Sequence, residues 1–244
     1  MLKILLCYCS VLLILTSCKP FDIGQSTQTK TTYEVSLGAI GSEKDYFLQK
    51  GFHGSAVPSY KSPIKVSVIT KPFNKQTYKA FVKAKTLQSV DVMVDYIDSI
   101  PDKPVYVQLQ IVDKIAIIKA LNGKENKDVK DYLSLRPYAD ILTSISLVYN
   151  AKDMEAINDA DAIFLEEIGL KTYALQLYKD SKKTETIPFN RGIVFEYKAS
   201  NCCWKESEKH QIDIVDLVNT YSNCPHSTYR SAKRAKKTMN YYKL

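Results

Sequence analysis

The stretch Val105-Tyr106-Val107-Gln108-Leu109-Gln110-Ile111 indicates the fold class, because apolar and polar residues alternate along it directly after Pro104. Successive side chains of a strand point to opposite faces, so this pattern predicts a half-buried β-strand with Gln108 and Gln110 facing outward. The same alternation recurs in residues 64–70 and 90–96. We therefore expect a domain built mainly from β-strands.

Other segments extend this pattern along the chain. Strands are predicted at residues 141–149, 162–167, 172–178 and 192–197, and the last two are expected to pair as a hairpin around residues 180–183. Helices are predicted at residues 126–135, which Pro137 ends, and at residues 151–158. Residues 113–121 and 211–221 fit a strand or a helix equally well.

The spacing of these segments favours an antiparallel architecture. Strands recur at short intervals, long helices are few, and no strand–helix–strand alternation or internal repeat is present. The composition, 45% hydrophobic and 25% charged, is that of an ordinary folded chain. We predict a mainly β, antiparallel, sandwich-like domain with a few short helices and a basic C-terminal helix.

The N-terminal residues are typical of an export signal. Lys3 precedes a run of about a dozen mostly apolar residues, which is too short to span a bilayer. The run ends in Leu15-Thr16-Ser17-Cys18, which resembles the lipobox of bacterial lipoproteins. This resemblance covers residues 1–18 alone, and it implies cleavage before Cys18 and attachment of a diacylglycerol to its thiol. The alternative is a secretory signal that contains a cysteine by chance.

The lipobox also suggests how the chain is divided and where it resides. Residues 1–17 are the expected signal peptide, residues 18–33 the lipidated cysteine with a flexible polar tether, residues 34–224 the globular domain and residues 225–244 a basic tail. An Asp after the lipidated cysteine retains many lipoproteins at the inner membrane. Lys19 stands there instead, so the resemblance favours a lipid-anchored protein of the outer membrane of the bacterial envelope.

Positive charge is concentrated at the C-terminal end. The net charge is +8, but the last fifteen residues contain six cations and no acid. A nucleic-acid-binding domain more often carries a basic stripe across its fold, so no nucleic acid partner is expected. A helix starting near residue 227 would bring cations to one side, where an anionic envelope polymer, an envelope protein or lipid headgroups could neutralise them. These candidate partner-binding residues are Arg230, Lys233, Arg234, Lys236 and Lys237. The alternative is a solvated helix that aids solubility.

Three cysteines and two histidines form the one chemically suggestive cluster. With Cys7 and Cys9 removed in the signal and Cys18 lipidated, Cys202, Cys203 and Cys224 remain. In an oxidising compartment, either Cys202 or Cys203 is expected to bridge to Cys224. The third thiol is then left free or pairs between molecules.

Two other interpretations of this cluster stay open. His210 and His226 could join the three cysteines as ligands of zinc or copper, although the usual ligand spacings are missing. Cys203 with His210 could form a nucleophilic pair, but no orienting third residue is evident.

No other motif indicates catalysis. The loop around His53 and Ser55 is not a nucleophile elbow, and no glycine-rich phosphate loop is present. The sequence therefore favours a non-enzymatic binding or structural module for an envelope protein, glycan or cell-wall polymer, with no cofactor. The alternative is a secreted hydrolase or metal-dependent enzyme centred on the Cys/His cluster.

Overall fold

The computed structural model describes residues 28–46, 49–208, 210–220 and 222–237, without the side chains of residues 44–46, 49–50 and 237. These residues form eleven strands that are joined by hydrogen bonds into an antiparallel sheet. The predicted signal peptide, Cys18 and most of the predicted tether lie outside the described residues, as does the end of the basic tail from residue 238 onward.

The strands occupy most of the chain. Their bounds are β1 Thr29–Lys30, β2 Ile40–Tyr46, β3 Gln49–Ala56, β4 Ile64–Pro72, β5 Val105–Ile111, β6 Asp140–Val148, β7 Ala162–Gly169, β8 Thr172–Lys179, β9 Lys182–Pro188, β10 Ile193–Glu206 and β11 Ile212–Asn219.

Five short α-helices connect or cover the strands. They are α1 Lys75–Lys85, α2 Lys114–Asn122, α3 Lys127–Leu135, α4 Ala151–Asp159 and α5 Ala232–Lys237. The N-termini of α1, α2 and α4 are capped by Asn74, Asp113 and Asn150. The side-chain oxygen of each accepts a hydrogen bond from backbone N–H groups that the first helical turn leaves unpaired. The 3₁₀ turns Lys124–Asn126 and Phe189–Arg191 complete the helical structure of the described residues.

Strand β10 organises the sheet. The main path of neighbours runs β1-β10-β6-β5-β4-β7-β8-β9, and β11 pairs with the second half of β10. Strand β2 pairs with β3 and with the start of β6. Bulges at Val194/Glu196, Lys198/Ala199 and Cys203/Trp204 shift the register of β10. Such bulges increase local twist, and they let this fourteen-residue strand serve three neighbours.

The sheet buries apolar residues on both faces. The larger cluster contains Leu109, Ile145 and Leu175 together with Ile117 of α2 and Leu133 of α3. The smaller cluster lies under α1, where Phe73 and Phe81 pack against strand side chains such as Phe195.

The predicted fold class is confirmed: the domain is mainly antiparallel β with a few short helices, consistent with a sandwich-like arrangement. Residues 126–135 and 151–158 are helical to within one residue, as expected. The two ambiguous segments resolve into helix α2 and strand β11.

The predicted hairpin is wrong in its second strand. The turn at Asp180 and Ser181, both with positive φ, joins β8 to β9 and not to residues 192–197. Those residues begin β10, which pairs with β6. The strand predicted at residues 90–96 is also wrong, since this segment pairs with no strand of the described chain.

Both ends of the domain extend further than predicted. Thr29 and Lys30 pair with β10, and the following Thr31 is buried, so the last part of the expected tether belongs to the fold. At the other end, the helix begins at Ala232 and not near residue 227. Ala232 and Ala235 are buried in the larger core, which fixes this segment to the domain.

Candidate functional site

A disulfide joins Cys203 of β10 to Cys224, with their Cα atoms 5.7 Å apart. It links β10 to the segment between β11 and α5, which makes few regular hydrogen bonds of its own. Of the two pairings that the sequence allowed, the structure has the one through Cys203.

Cys202 is the remaining thiol of the described chain, and it is buried. Adjacent residues of a strand point to opposite faces, so Cys202 lies among the residues of the larger core while Cys203 bonds to Cys224. Burial, and to a lesser extent the nearby Asp140, raises the pKa of Cys202 to about 12. A thiol in this environment stays protonated and is a poor nucleophile or metal ligand.

The two histidines of the cluster are exposed and do not meet the cysteines. His210 has a positive φ of 60°, and its Nδ1 lies 3.4 Å from Oε1 of Glu206. His226 lies in the exposed turn after Cys224. No group of three or more metal-ligating side chains is present within the described residues. The metal and nucleophile interpretations of this cluster therefore gain no support from the geometry.

The basic residues of the C-terminal segment divide into two kinds. The Arg230 guanidinium donates hydrogen bonds to the backbone carbonyls of Thr220 and Ser222, so its role is structural. Lys233, Arg234 and Lys236 are exposed on α5, and the Arg234 guanidinium lies 5.9 Å from the Tyr229 ring centroid.

The helix predicted to start near residue 227 would have included Arg230, but in the structure Arg230 precedes α5. Lys237 ends α5, and its side chain lies outside the described residues. The exposed cations that could meet an anionic partner are those of α5 itself.

A polar groove lies between the end of β5 and β11, across a floor that β6 and β10 provide. Its volume is about 510 Å³. Its apolar lining comes from residues such as Ile111 and Leu217, and no acidic side chain lines it. The polar lining residues are Gln110, Lys114, Thr143, Ser144, Lys198, Ser200, Asn219 and Ser222. We refer to this feature as the β5–β11 groove.

The two lysines of the groove have different surroundings. Lys114 Nζ lies 2.7 Å from Asp216 Oδ1 and donates to the Leu217 carbonyl at 2.8 Å, so its charge is already compensated. Lys198 is half-buried and forms no ion pair with any described residue. The Lys198 ammonium is therefore the uncompensated charge in the groove lining.

Two amide side chains of the lining also have no partner. Gln110 and Asn219 are half-buried, and neither side chain forms a hydrogen bond within the described part of the chain. Buried or half-buried amides ordinarily find partners, because leaving them unpaired costs free energy. Together with Lys198, these groups offer donors and acceptors that a ligand could use.

The floor of the groove continues into a network of hydroxyls and amides. Ser144 Oγ donates to the Leu109 carbonyl at 2.8 Å and accepts from the side chains of Gln28 and Gln108 at 3.3 Å. Ser146 Oγ donates to Gln28 Oε1 at 2.8 Å. Gln28, the first described residue, thus fixes the N-terminal end of the domain beside the groove.

Beyond this network lies Glu196, which is buried. Burial raises its pKa, while the nearby Lys30, Lys71 and Ser146 act in the opposite direction. At the start of β6, Asp140 accepts hydrogen bonds from Asn201 and Thr220, and burial raises its pKa as well. Both carboxyl groups serve as buried members of polar networks.

The sequence located part of this site. It placed Gln108 and Gln110 on the outer face, and both are only half-buried in the structure. It missed Ser144 and Lys198, although Ser144 and Ser146 interrupt the apolar run of β6 at a spacing of two. That spacing was the available signal, but the pairing of β6 with β5 and β10 could not be read from it.

Comparisons with known proteins add no family to this description. No protein-family model, curated protein or solved structure matches the chain significantly. Among the described residues, no helix has the length and apolar character needed to cross a membrane.

Proposed function

We propose that this protein is a lipid-anchored, non-enzymatic binding module of the bacterial envelope whose β5–β11 groove holds an anionic, hydroxyl-rich polymer. The observation that carries this proposal is the groove lining, where Lys198, Gln110 and Asn219 face a ligand-sized space and have no side-chain partner among the described residues. The lipid anchor rests on the lipobox of residues 1–18.

The chemistry of the groove favours such a ligand over an apolar one. Serine and threonine hydroxyls and side-chain amides exchange hydrogen bonds with sugar hydroxyls, since each can donate and accept. An ammonium group without an acidic neighbour attracts a carboxylate or phosphate. A polymer that carries both kinds of group would supply partners for Lys198, Gln110 and Asn219.

The position of the tether is compatible with a ligand near the membrane. Gln28 is bound to the floor network through Ser144 and Ser146. Nine residues separate it from Cys18, and an extended chain of that length reaches about 30 Å. The groove would then lie close to the lipid surface and its associated polymers.

The enzyme alternative has weaker support. The disulfide occupies Cys203 and Cys224, and Cys202 is a buried thiol with a raised pKa. The histidines His210 and His226 lie exposed, in separate turns. A hydrolase or metal-dependent enzyme centred on these residues would need a rearrangement that opens the disulfide.

The groove is tested with purified protein and two soluble probes, polygalacturonate and a neutral glucan of similar length. We expect polygalacturonate to bind more tightly than the glucan, with an affinity that falls as salt concentration rises. Lys198→Glu should abolish this binding. Lys152→Glu makes the same charge change on the exposed face of α4, away from the groove, and should leave the binding unchanged.

Equal loss of binding in both lysine variants would assign the effect to overall charge and overturn the groove assignment. Loss of binding on replacing Lys233, Arg234 and Lys236 of α5 by Ala, with Lys198→Glu still active, would place the polymer site on α5 instead.

The anchor is tested separately by labelling cells with palmitate and fractionating their membranes. Cys18→Ala should abolish both the label and membrane association. Cys9→Ala alters a cysteine within the apolar run and should change neither. A protein that remains labelled after Cys18→Ala would contradict the lipobox interpretation.

A further inference from the structure

We propose that the segment of residues 90–96 binds an extended strand of a partner protein, one whose side chains alternate between cationic and apolar. This inference is independent of the β5–β11 groove and of the lipid anchor. It concerns a segment whose alternating sequence predicted a strand and which the structure leaves unpaired.

Residues 89–97 share the alternating exposure of a half-buried strand, but they pair with no described strand. No turn or bend interrupts residues 89–97, and exposure alternates along them: Val92 is 3% exposed and Met93 is 77% exposed. Within the described part of the chain, residues 91–99 form no backbone–backbone hydrogen bond. The one hydrogen bond to their backbone is a long one of 3.5 Å from the Tyr78 hydroxyl to the Val94 carbonyl.

Packing under α1 holds the segment in place. Val92 belongs to the smaller core with Phe73 and Phe81, and the Tyr96 ring stacks on Tyr78 with centroids 4.6 Å apart. A partner strand would therefore meet a backbone that is already ordered. Prior ordering lowers the entropic cost of binding, and backbone groups without partners supply the hydrogen bonds of strand addition.

The outward side of the segment defines the partner. Asp91, Met93, Asp95 and Ile97 alternate along it; Met93 and Ile97 are 77% and 56% exposed, and both aspartates are exposed too. Neither Asp91 nor Asp95 forms an ion pair with a described residue. Opposite charges and apolar pairs facing each other across two strands are stabilising. A strand with Lys or Arg opposite the aspartates and an apolar residue opposite Met93 fits this pattern.

Exposed apolar surface around the segment supports a protein partner. Leu87, just before the segment, is 55% exposed, and Val82 of α1 is 43% exposed. Single exposed apolar residues are common, but several beside an unpaired extended backbone are typical of an interaction surface.

The test uses the purified chain from residue 19 onward and a labelled octapeptide of alternating Lys and Val. We expect the peptide to bind, and amide hydrogen exchange to slow at residues 91–96. A peptide of the same sequence, N-methylated at every second amide, cannot complete the backbone ladder and should bind at least about tenfold more weakly.

The charge requirement is tested with a double variant, Asp91→Asn and Asp95→Asn, which should weaken binding by about tenfold. The matched control, Asp128→Asn with Asp180→Asn, removes two exposed carboxylates elsewhere and should leave binding unchanged.

Five outcomes would overturn the proposal. The first three are no binding of the Lys–Val peptide, equal binding of its N-methylated form, and protection that falls outside residues 91–96. The fourth is tighter binding of a Glu–Val peptide, which would assign recognition to the lysines of α1, namely Lys75, Lys79, Lys83 and Lys85. The fifth is concentration-dependent dimerisation through residues 90–96. It would show that the segment pairs with a second copy of this chain and not with a cationic partner strand.

Discussion

Trp204 and Tyr229 exchange two backbone hydrogen bonds: the Trp204 N–H donates to the Tyr229 carbonyl at 2.7 Å, and the Tyr229 N–H donates to the Trp204 carbonyl at 2.9 Å. This isolated bridge lies beside the disulfide of Cys203 and Cys224. It places the start of the C-terminal segment against β10, and the buried Ala232 and Ala235 continue that contact. The segment is part of the folded domain, so removing it from Arg230 onward should destabilise the fold, contrary to the predicted division into a globular domain of residues 34–224 and a separate tail.

Replacing Arg230 tests this conclusion directly. Arg230→Ala removes a charged donor and leaves the carbonyls of Thr220 and Ser222 without that partner, which should lower the free energy of unfolding by about 1–3 kcal/mol. Arg234→Ala loses one exposed cation–π contact and should cost under about 1 kcal/mol. Urea unfolding of both variants measures the difference. Equal effects would mean that Arg230 has no special structural role.

The disulfide predicts a clear pattern of thiol reactivity. In the chain from residue 19 onward, Cys202 is the one free thiol, and because it is buried with a pKa of about 12 it should resist alkylation until the protein unfolds. Mass spectrometry should then find one alkylated cysteine after denaturation and three after reduction as well. Two or more reactive thiols in the native, unreduced protein would contradict the pairing. Cys224→Ala should lower stability by about 3 kcal/mol, the entropic value for a loop of this size.

Asp140 and Glu196 should make stability depend on pH in an unusual direction. Burial raises the pKa of both carboxyl groups, so the folded state holds their protons more tightly than the unfolded state. Their contribution to stability is therefore largest in acid, and it declines as pH rises through the raised folded pKa values.

Asp140→Asn should flatten this decline, as measured by urea midpoints between about pH 4 and about pH 7. Glu155→Gln, a change at an exposed position of α4, should leave the profile as it is in the wild type. Parallel profiles for wild type and Asp140→Asn would contradict a raised pKa at Asp140.

A pair of isoleucines tests the orientation of α2. Ile117 is fully buried in the larger core, whereas Ile115 is 66% exposed. Ile117→Ala should cost about 2–5 kcal/mol through lost burial and a cavity, and Ile115→Ala should cost little. Thermal or urea unfolding distinguishes the two. Similar losses would mean that residues 114–122 pack in another way.

Whether the sequence predicted an element correctly depends on whether its signal is local. The alternation of residues 105–111 predicted β5 correctly, because the pleat of a strand imposes period two on any half-buried sheet. The same signal failed at residues 90–96. A segment packed on a helix alternates between buried and exposed just as a paired strand does, so periodicity alone cannot tell whether backbone partners exist.

The sequence by itself determined the fold class and, to within one residue, the bounds of α3 and α4. It also determined that three cysteines leave one without a partner in the disulfide. All of these follow from spacing and composition. Only the tertiary structure decided that Cys203 and not Cys202 meets Cys224, because adjacent strand residues point to opposite faces. It also decided that Gln110, Lys198 and Asn219, which are far apart in sequence, line one groove. The partner of each strand is set by long-range packing and register, and the residues of one strand alone do not carry that information.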